Sequence, residues 1–152
     1  MTARRLTAAA LAAVVAVGIG ISVHAQMKRP YHDGSVWNIQ FIRIKPGMET
    51  AYMGYLAGDW KRNQEAAKQA GLILSYKVIS TEEHGPTDFN LMLMTEAKDL
   101  ASLEANKEKI DAILQKVIGD DQKQMQGYKE RAEIRDIIGA RLAREVVLEP
   151  KM

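Results

Sequence analysis

Apolar positions alternate along Ser35–Lys45, SVWNIQFIRIK, with Trp37, Ile39 and Phe41 on one side and Asn38, Gln40, Ile42 and Ile44 on the other. Successive side chains of a strand point to opposite faces, so this segment is expected to be the first strand of a sheet. Pro46-Gly47 ends it. The spacing then becomes helical over Met48–Ala70, where Tyr52, Leu56, Trp60, Asn63, Ala67 and Ala70 form one stripe and Gly71 follows as a C-cap. Gly54 and Gly58 lie inside that helix, either to admit close backbone packing or as tolerated residues that cost about 1 kcal/mol each against alanine. Leu72–Ser80, LILSYKVIS, and Asp88–Glu96, DFNLMLMTE, are two more strands joined by a turn around Gly85-Pro86, and so short a connection predicts an antiparallel hairpin. A second helix is expected over Lys98–Ile118, closed by Gly119, and a third, surface-lying one within Asp120–Asp136. Leu142–Leu148, LAREVVL, reads as the last strand before Pro150.

The order strand, helix, strand, strand, helix, strand is that of an α+β, ferredoxin-like split βαβ fold. It predicts a four-stranded antiparallel sheet with two helices on one face, plus the extra C-terminal helix. The third strand poses a question. Phe89, Leu91 and Leu93 point one way and Asn90, Met92 and Met94 the other, so both faces are largely apolar. Helices on one face leave the other wet, with Met92, Met94, Ile42 and Ile44 expected there. Leaving such side chains in water forgoes roughly 1.5–3 kcal/mol each. Contiguous apolar patches of this kind mark interfaces. A homodimer packed sheet to sheet answers the question, with Ile42, Met92 and Met94 at the seam. The extra helix folding across the same face is the other solution.

The ends of the chain change the charge argument. Arg4-Arg5, the apolar run Ala8–Ile21 and the small or apolar residues Val23 and Ala25 compose a secretory signal peptide over residues 1–25, cleaved after Ala25. The apolar run is well short of the ~20 residues that span a bilayer, so no membrane anchor is expected after cleavage. The protein is then secreted or periplasmic. The leader carries Arg4 and Arg5 and no acid, so its removal leaves basic and acidic residues balanced at 19 each. That balance offers nothing to attract nucleic acid or an anionic membrane. Gln26–Gly34 reads as a flexible lead-in and residues 35–150 as one domain. The chain has no cysteine, which removes disulfides and cysteine-based metal or thiol chemistry.

At the level of motifs, IKPGMETAYMGYLAGDWKRNQEAAKQAGLILSYKVIS resembles the first half of a dimeric α+β barrel domain, and NLMLMTEAKDLASLEA the second half. That superfamily includes antibiotic-biosynthesis-type monooxygenases and stress-responsive barrel proteins. The resemblance covers roughly Val36–Val117, and its motifs are structural signposts without catalytic content. The pattern DWK…GLILSYK…NLMLM also resembles a group of secreted bacterial proteins without an established role. Asp120–Asp136 departs from the usual compact domain. Haem-degrading members use a first-strand Asn, a Trp and a second-helix His. Asn38 or Gln40 matches the first, but the second helix here has no His, so haem is not implied. Cofactor-independent members use polar and aromatic pocket residues, which Asn38, Trp60, Tyr76 and Asn90 match in type. No cofactor is expected.

His32 and His84 sit in turn-like segments without the spacing of a closed metal site, so no metal is expected. Met92 and Met94 are soft ligands in principle, but paired on one strand face they read as flexible packing residues. No Ser-His-Asp set or phosphate loop appears. The residues support a small-molecule-binding or interaction domain, its ligand hydrophobic or aromatic and held near Asn38, Trp60, Tyr76 and Asn90. The alternative is a cofactor-independent monooxygenase or isomerase acting on a phenolic or quinone-like substrate in the same place.

Overall fold

The computed structural model describes residues 29–150, so the expected leader and its cleavage site lie outside the described residues. Alternation over the first apolar segment produces β1, Tyr31–Ile44. A helical stretch follows as α1, Glu49–Tyr55, a π-helical turn, Leu56–Trp60, and α2, Lys61–Gln69. Next come β2, Ser75–Ser80, β3, Leu91–Ala97, α3, Leu100–Ala105, α4, Lys107–Ile118, α5, Asp121–Ile134, and β4, Arg135–Leu148. The strands form one antiparallel sheet in the order β2-β3-β1-β4, the split βαβ arrangement.

The register fixes what each face carries. Ile42 lies opposite Leu91, Gln40 opposite Leu93 and Asn38 opposite Thr95, so these residues share one face. On that face Ile42, Ile44, Leu91 and Leu93 join Tyr52 and Leu56 in a buried core, with Tyr55, Trp60 and Ile134 packed against it. Ile42 is therefore not on a dimer seam. It is fully buried beneath the helices, and Ile44 lies beside it. The open face carries the complementary set, since Phe41 lies opposite Met92 and Ile39 opposite Met94. Trp37 continues the row, with the Lys77 ammonium 4.9 Å from its ring centre.

The long helix is divided by its π turn, where the Lys61 N–H reaches back to the Leu56 carbonyl. In an α-helix each fourth residue overshoots its predecessor by about 40°. The wider π turn cancels that drift, so Trp60 comes back over the sheet in line with Tyr52 and Leu56. A Cβ at Gly54 or Gly58 would meet nothing within 4 Å, so neither glycine serves close packing. Gly71, at φ +70°, does meet a backbone requirement: it ends the helical run in a left-handed conformation that L side chains rarely adopt.

Side chains cap the later helices. The Asp99 carboxylate accepts from the Ser102 N–H at 2.6 Å, and Asp120 accepts from Lys123 N–H at 2.9 Å. The second helix is broken at Asn106 into α3 and α4, and neither contributes a fully buried side chain. α5 packs against α1 and α4 and joins the helical layer, so it does not cover the open sheet face.

Two expected boundaries move. The segment read as a flexible lead-in enters the sheet at Tyr31, because β4 offers polar partners to match it. Arg144 bonds Asp33 at 2.8 Å, Ser35 donates to Glu145 at 3.1 Å, and His32 meets Glu149 at 2.7 Å. β4 begins at Arg135, well before Leu142, with Asp136 paired to Arg43 at 2.8 Å across the strands.

Gly54→Ala is expected to raise the free energy of unfolding by about 0.5–1 kcal/mol, because the α1 backbone already suits alanine and its methyl meets open space. A higher urea midpoint with an unchanged m-value is the measurement; a lower midpoint would show that the site needs glycine.

Candidate functional site

The inward row of β1 is apolar at both ends and polar in the middle. Val36, Ile42 and Ile44 are buried, while Asn38 and Gln40 between them face a cavity of about 190 Å³. Its floor is the sheet, with Leu93 and Thr95 beside the two amides. Trp60, Asn63, Gln64 and Ala67 come from the helical run above, and Leu103 and Ile110 from α3 and α4. An apolar cavity of roughly 150 Å³ accepts a benzene ring, so this one has room for a single-ring ligand.

Its chemistry is neutral and rich in hydrogen bonds. Asn38, Gln40, Asn63 and Gln64 each offer a carbonyl acceptor and an NH₂ donor. Thr95 Oγ1 lies 3.3 Å from Gln64 Oε1. Asn63 Oδ1 is buried without a partner, an arrangement that costs about 1–3 kcal/mol. Trp60 presents an aromatic wall held edge-on by Tyr76, with ring centres 5.3 Å apart and planes at 85°. The Tyr76 hydroxyl donates to the Glu65 carboxylate, and this bond raises the pKa of the phenol. None of the cavity's lining residues is titratable.

Of the four residues expected to hold a ligand, Asn38 and Trp60 line this cavity and Tyr76 buttresses Trp60. Asn90 is elsewhere. Its side chain accepts from the Ile44 N–H at 2.9 Å and donates to Glu83 at 2.7 Å, extending the β1–β3 pairing where β3 has not yet begun. Asn63 is the site residue that a sequence reading passes over. A carboxamide in an otherwise apolar helical stripe, one turn from Trp60, was the available signal. Met92 and Met94 lie on the opposite face of the sheet, away from this cavity. Among the described residues no three His, Cys, Asp or Glu side chains form a group that could hold a metal ion. Nor is any described helix long and apolar enough to cross a membrane.

On the other flank of the same helical run lies a cationic and aromatic cluster. Tyr52 is fully buried with its hydroxyl unpartnered, and the Arg135 guanidinium stands 5.5 Å from its ring centre. Arg131 stacks over Tyr55 at 4.6 Å. Burial pushes the Tyr52 phenol up to about 12, against an opposing pull from Arg135. Tyr55 is raised as well, again chiefly by burial.

No protein-family model matches the chain, and no curated protein is significantly similar to it. Solved structures with a similar chain path include a NipSnap-family protein of unknown function from Agrobacterium tumefaciens, with 14% identity and a TM-score of 0.48 over 78% of this chain and 92% of that one. HapK from Hahella chejuensis is similar at 11% identity and a TM-score of 0.43, over 72% of this chain and 91% of that one. A dimeric ferredoxin-like protein from an uncultured marine organism gives 14% and 0.43, over 79% of this chain and all of that one.

Tyr52 gives the stability a defined alkaline limb. Its raised folded-state pKa means that the native protein keeps a proton which the unfolded chain releases above pH 10. The associated stability is complete below pH 10 and is lost as pH rises through about 12. The expected slope is about 1.4 kcal/mol per pH unit over that window. Tyr52→Phe should flatten most of it, with Tyr55 retaining the rest, and should change neutral-pH stability by less than about 1 kcal/mol because the hydroxyl has no partner. Urea titrations from pH 8 to 12 test this, and an unaltered slope would refute the assignment.

Proposed function

We propose that the protein is an exported homodimer that binds a small neutral ligand, a single-ring phenol or quinone-like compound, in the amide-lined cavity between sheet and helices. One observation carries this reading: a cluster of four carboxamides beside Trp60, one with a buried and unpartnered oxygen. Gln40, Asn63 and Gln64 are half-buried where a filled core would have apolar side chains, while Asn38 is exposed. Amides satisfy carbonyl and hydroxyl groups of a neutral ligand, and the indole supplies an aromatic wall. The same donors would also stabilise a phenolate, as an oxygenase requires. Binding is preferred over catalysis because no acid or base lines the cavity.

The homodimer reading rests on the open sheet face. Trp37, Ile39, Phe41, Met92 and Met94 share that face as half-buried apolar residues between Lys77 of β2 and Arg141 of β4, and Phe89 packs edge-on against Phe41 at 4.7 Å. α5 leaves this surface uncovered, and a second copy is its proposed occupant. The export reading rests on the leader pattern of residues 1–25, and it places the mature protein outside the cytoplasm.

Asn63→Leu separates a ligand site from a packing defect. It is expected to stabilise the empty protein by about 1 kcal/mol and to weaken p-cresol binding about tenfold. Binding is followed by the Trp60 indole N–H and the Asn38 and Gln40 side-chain amide resonances in NMR titrations. Saturable shifts in the wild type support the site; no shift of those resonances at millimolar p-cresol would sink it.

Met92→Asp is expected to convert the dimer to a monomer or to an aggregating species, since it places a charge on the apolar face. Sedimentation velocity of the mature chain provides the readout, and an unchanged particle would remove Met92 from the seam.

A further inference from the structure

A groove of about 500 Å³ lies away from the amide-lined cavity. It runs along α5, with Leu114 and Ile118 of α4 on one side and Tyr55 of α1 on the other. Met125 and Tyr128 are strongly exposed within it. Its volume falls within the range of ordinary small-molecule sites. The two ends of the groove differ in charge. Asp121 lines it from the first turn of α5 and Arg131 from the last, about 15 Å apart along the helix axis.

The Arg131 end has a particular construction. The guanidinium lies over Tyr55 at 4.6 Å and near Tyr128 at 6.0 Å. Arg131 makes no ion pair among the described residues, and its Nε is buried without a hydrogen-bond partner. Gly127 stands one turn earlier, where a Cβ would come within 3.0 Å of Arg131 Nη1. Glycine thus leaves room for the side chain to fold onto Tyr55. Arg135, itself buried and without an ion pair among the described residues, adds a second positive charge behind Tyr52. Stacking on tyrosine faces offsets part of the desolvation of a guanidinium, but it supplies no acceptor for the in-plane N–H groups. A carboxylate does. Tyr55 remains a neutral phenol there, because burial raises its pKa.

We propose that this groove binds a monocarboxylate with an extended apolar body, its carboxylate held by Arg131 and its body lying along Tyr128, Met125, Leu114 and Ile118. Asp121 makes the far end hostile to a second negative charge, so the site discriminates against dicarboxylates. The inference is independent of the amide-lined cavity and of its neutral ligand.

Isothermal titration calorimetry with decanoate, decanol and decanedioate, each below its aggregation concentration, tests the proposal on the mature protein. Decanoate should bind saturably, with decanol and decanedioate each at least tenfold weaker. Arg131→Gln should bring decanoate down to the level of decanol. Because Arg131 also packs on Tyr55, a second variant guards against misfolding: Met125→Glu, at a position 61% exposed, should weaken decanoate at least tenfold with an unchanged thermal midpoint. Asn63→Leu should leave decanoate binding unaltered. Equal binding of decanoate and decanol, full binding by Arg131→Gln, loss of binding in Asn63→Leu, or no binding at all would each overturn the proposal.

Discussion

Ile42 lies opposite Leu91 in the pairing of β1 with β3, and the two faces of the sheet follow from that register. A slip of one residue would turn every side chain of β1 over. Trp37, Ile39 and Phe41 would then sit under the helices, and Asn38 and Gln40 would face water. The register is held from both sides. β3 pairs with β1 from Val36 to Ile42, and β4 pairs with it from Tyr31 to Ile44. Asn90 closes the end of the first ladder with its side-chain amide, and the Arg43–Asp136 pair holds the second. With β1 locked, Asn38 and Gln40 both lie on the side facing the helices, Gln40 half-buried and Asn38 exposed, and both line the cavity.

Covered does not mean filled. At the Ile42–Ile44 end of β1, Tyr52 and Leu56 close the space completely. At the Asn38–Gln40 end the wall is built from Trp60, Asn63 and the half-buried side chains of α3 and α4. α4 buries no side chain fully, so its apolar face is only partly used by the sheet and α2. The same shortfall explains the second opening: Leu114 and Ile118 lie on the flank of α4 turned towards α5, where they line the groove. Both openings are bounded by one helix that gains little energy from full burial.

Much of this architecture is legible in the amino-acid sequence. Strand and helix periods gave the order of elements, and the stripe Tyr52, Leu56, Trp60, Asn63 and Ala67 marks the inward side of the long helix. The first half of β4 was not legible, because Asp136, Gly139 and Arg141 carry no strand pattern of their own. Its conformation is imposed by pairing with β1. Sequence alone does not assign Ile42 to its face for a related reason. Alternation places Ile42 opposite Trp37 in sense, but only the inter-strand register says which set Met92 joins. Asn90 resembled a pocket residue because an amide near a strand start looks the same whether it binds a ligand or completes a ladder. Asn38 and Trp60 line the same cavity because both lie on helix- and sheet-facing rows that each element's own period defines.

The π turn between α1 and α2 divides the helical run into two chemistries. Tyr55 immediately precedes it and lines the groove along α5, while Trp60 is its last residue and lines the amide-rich cavity. In a regular α-helix, residues five apart differ by about 140° in direction, so a single helix can serve both sides. The wider turn changes that angle and brings Trp60 over the sheet without moving Tyr55 from the flank. The two openings then differ in what they can hold. Carboxamides compensate a neutral polar ligand but do not neutralise a carboxylate. A guanidinium stacked on tyrosines leaves donors that a neutral phenol satisfies less well than an anion does. Tyr55 and Trp60, at the two ends of the π turn, therefore line two openings of different chemistry.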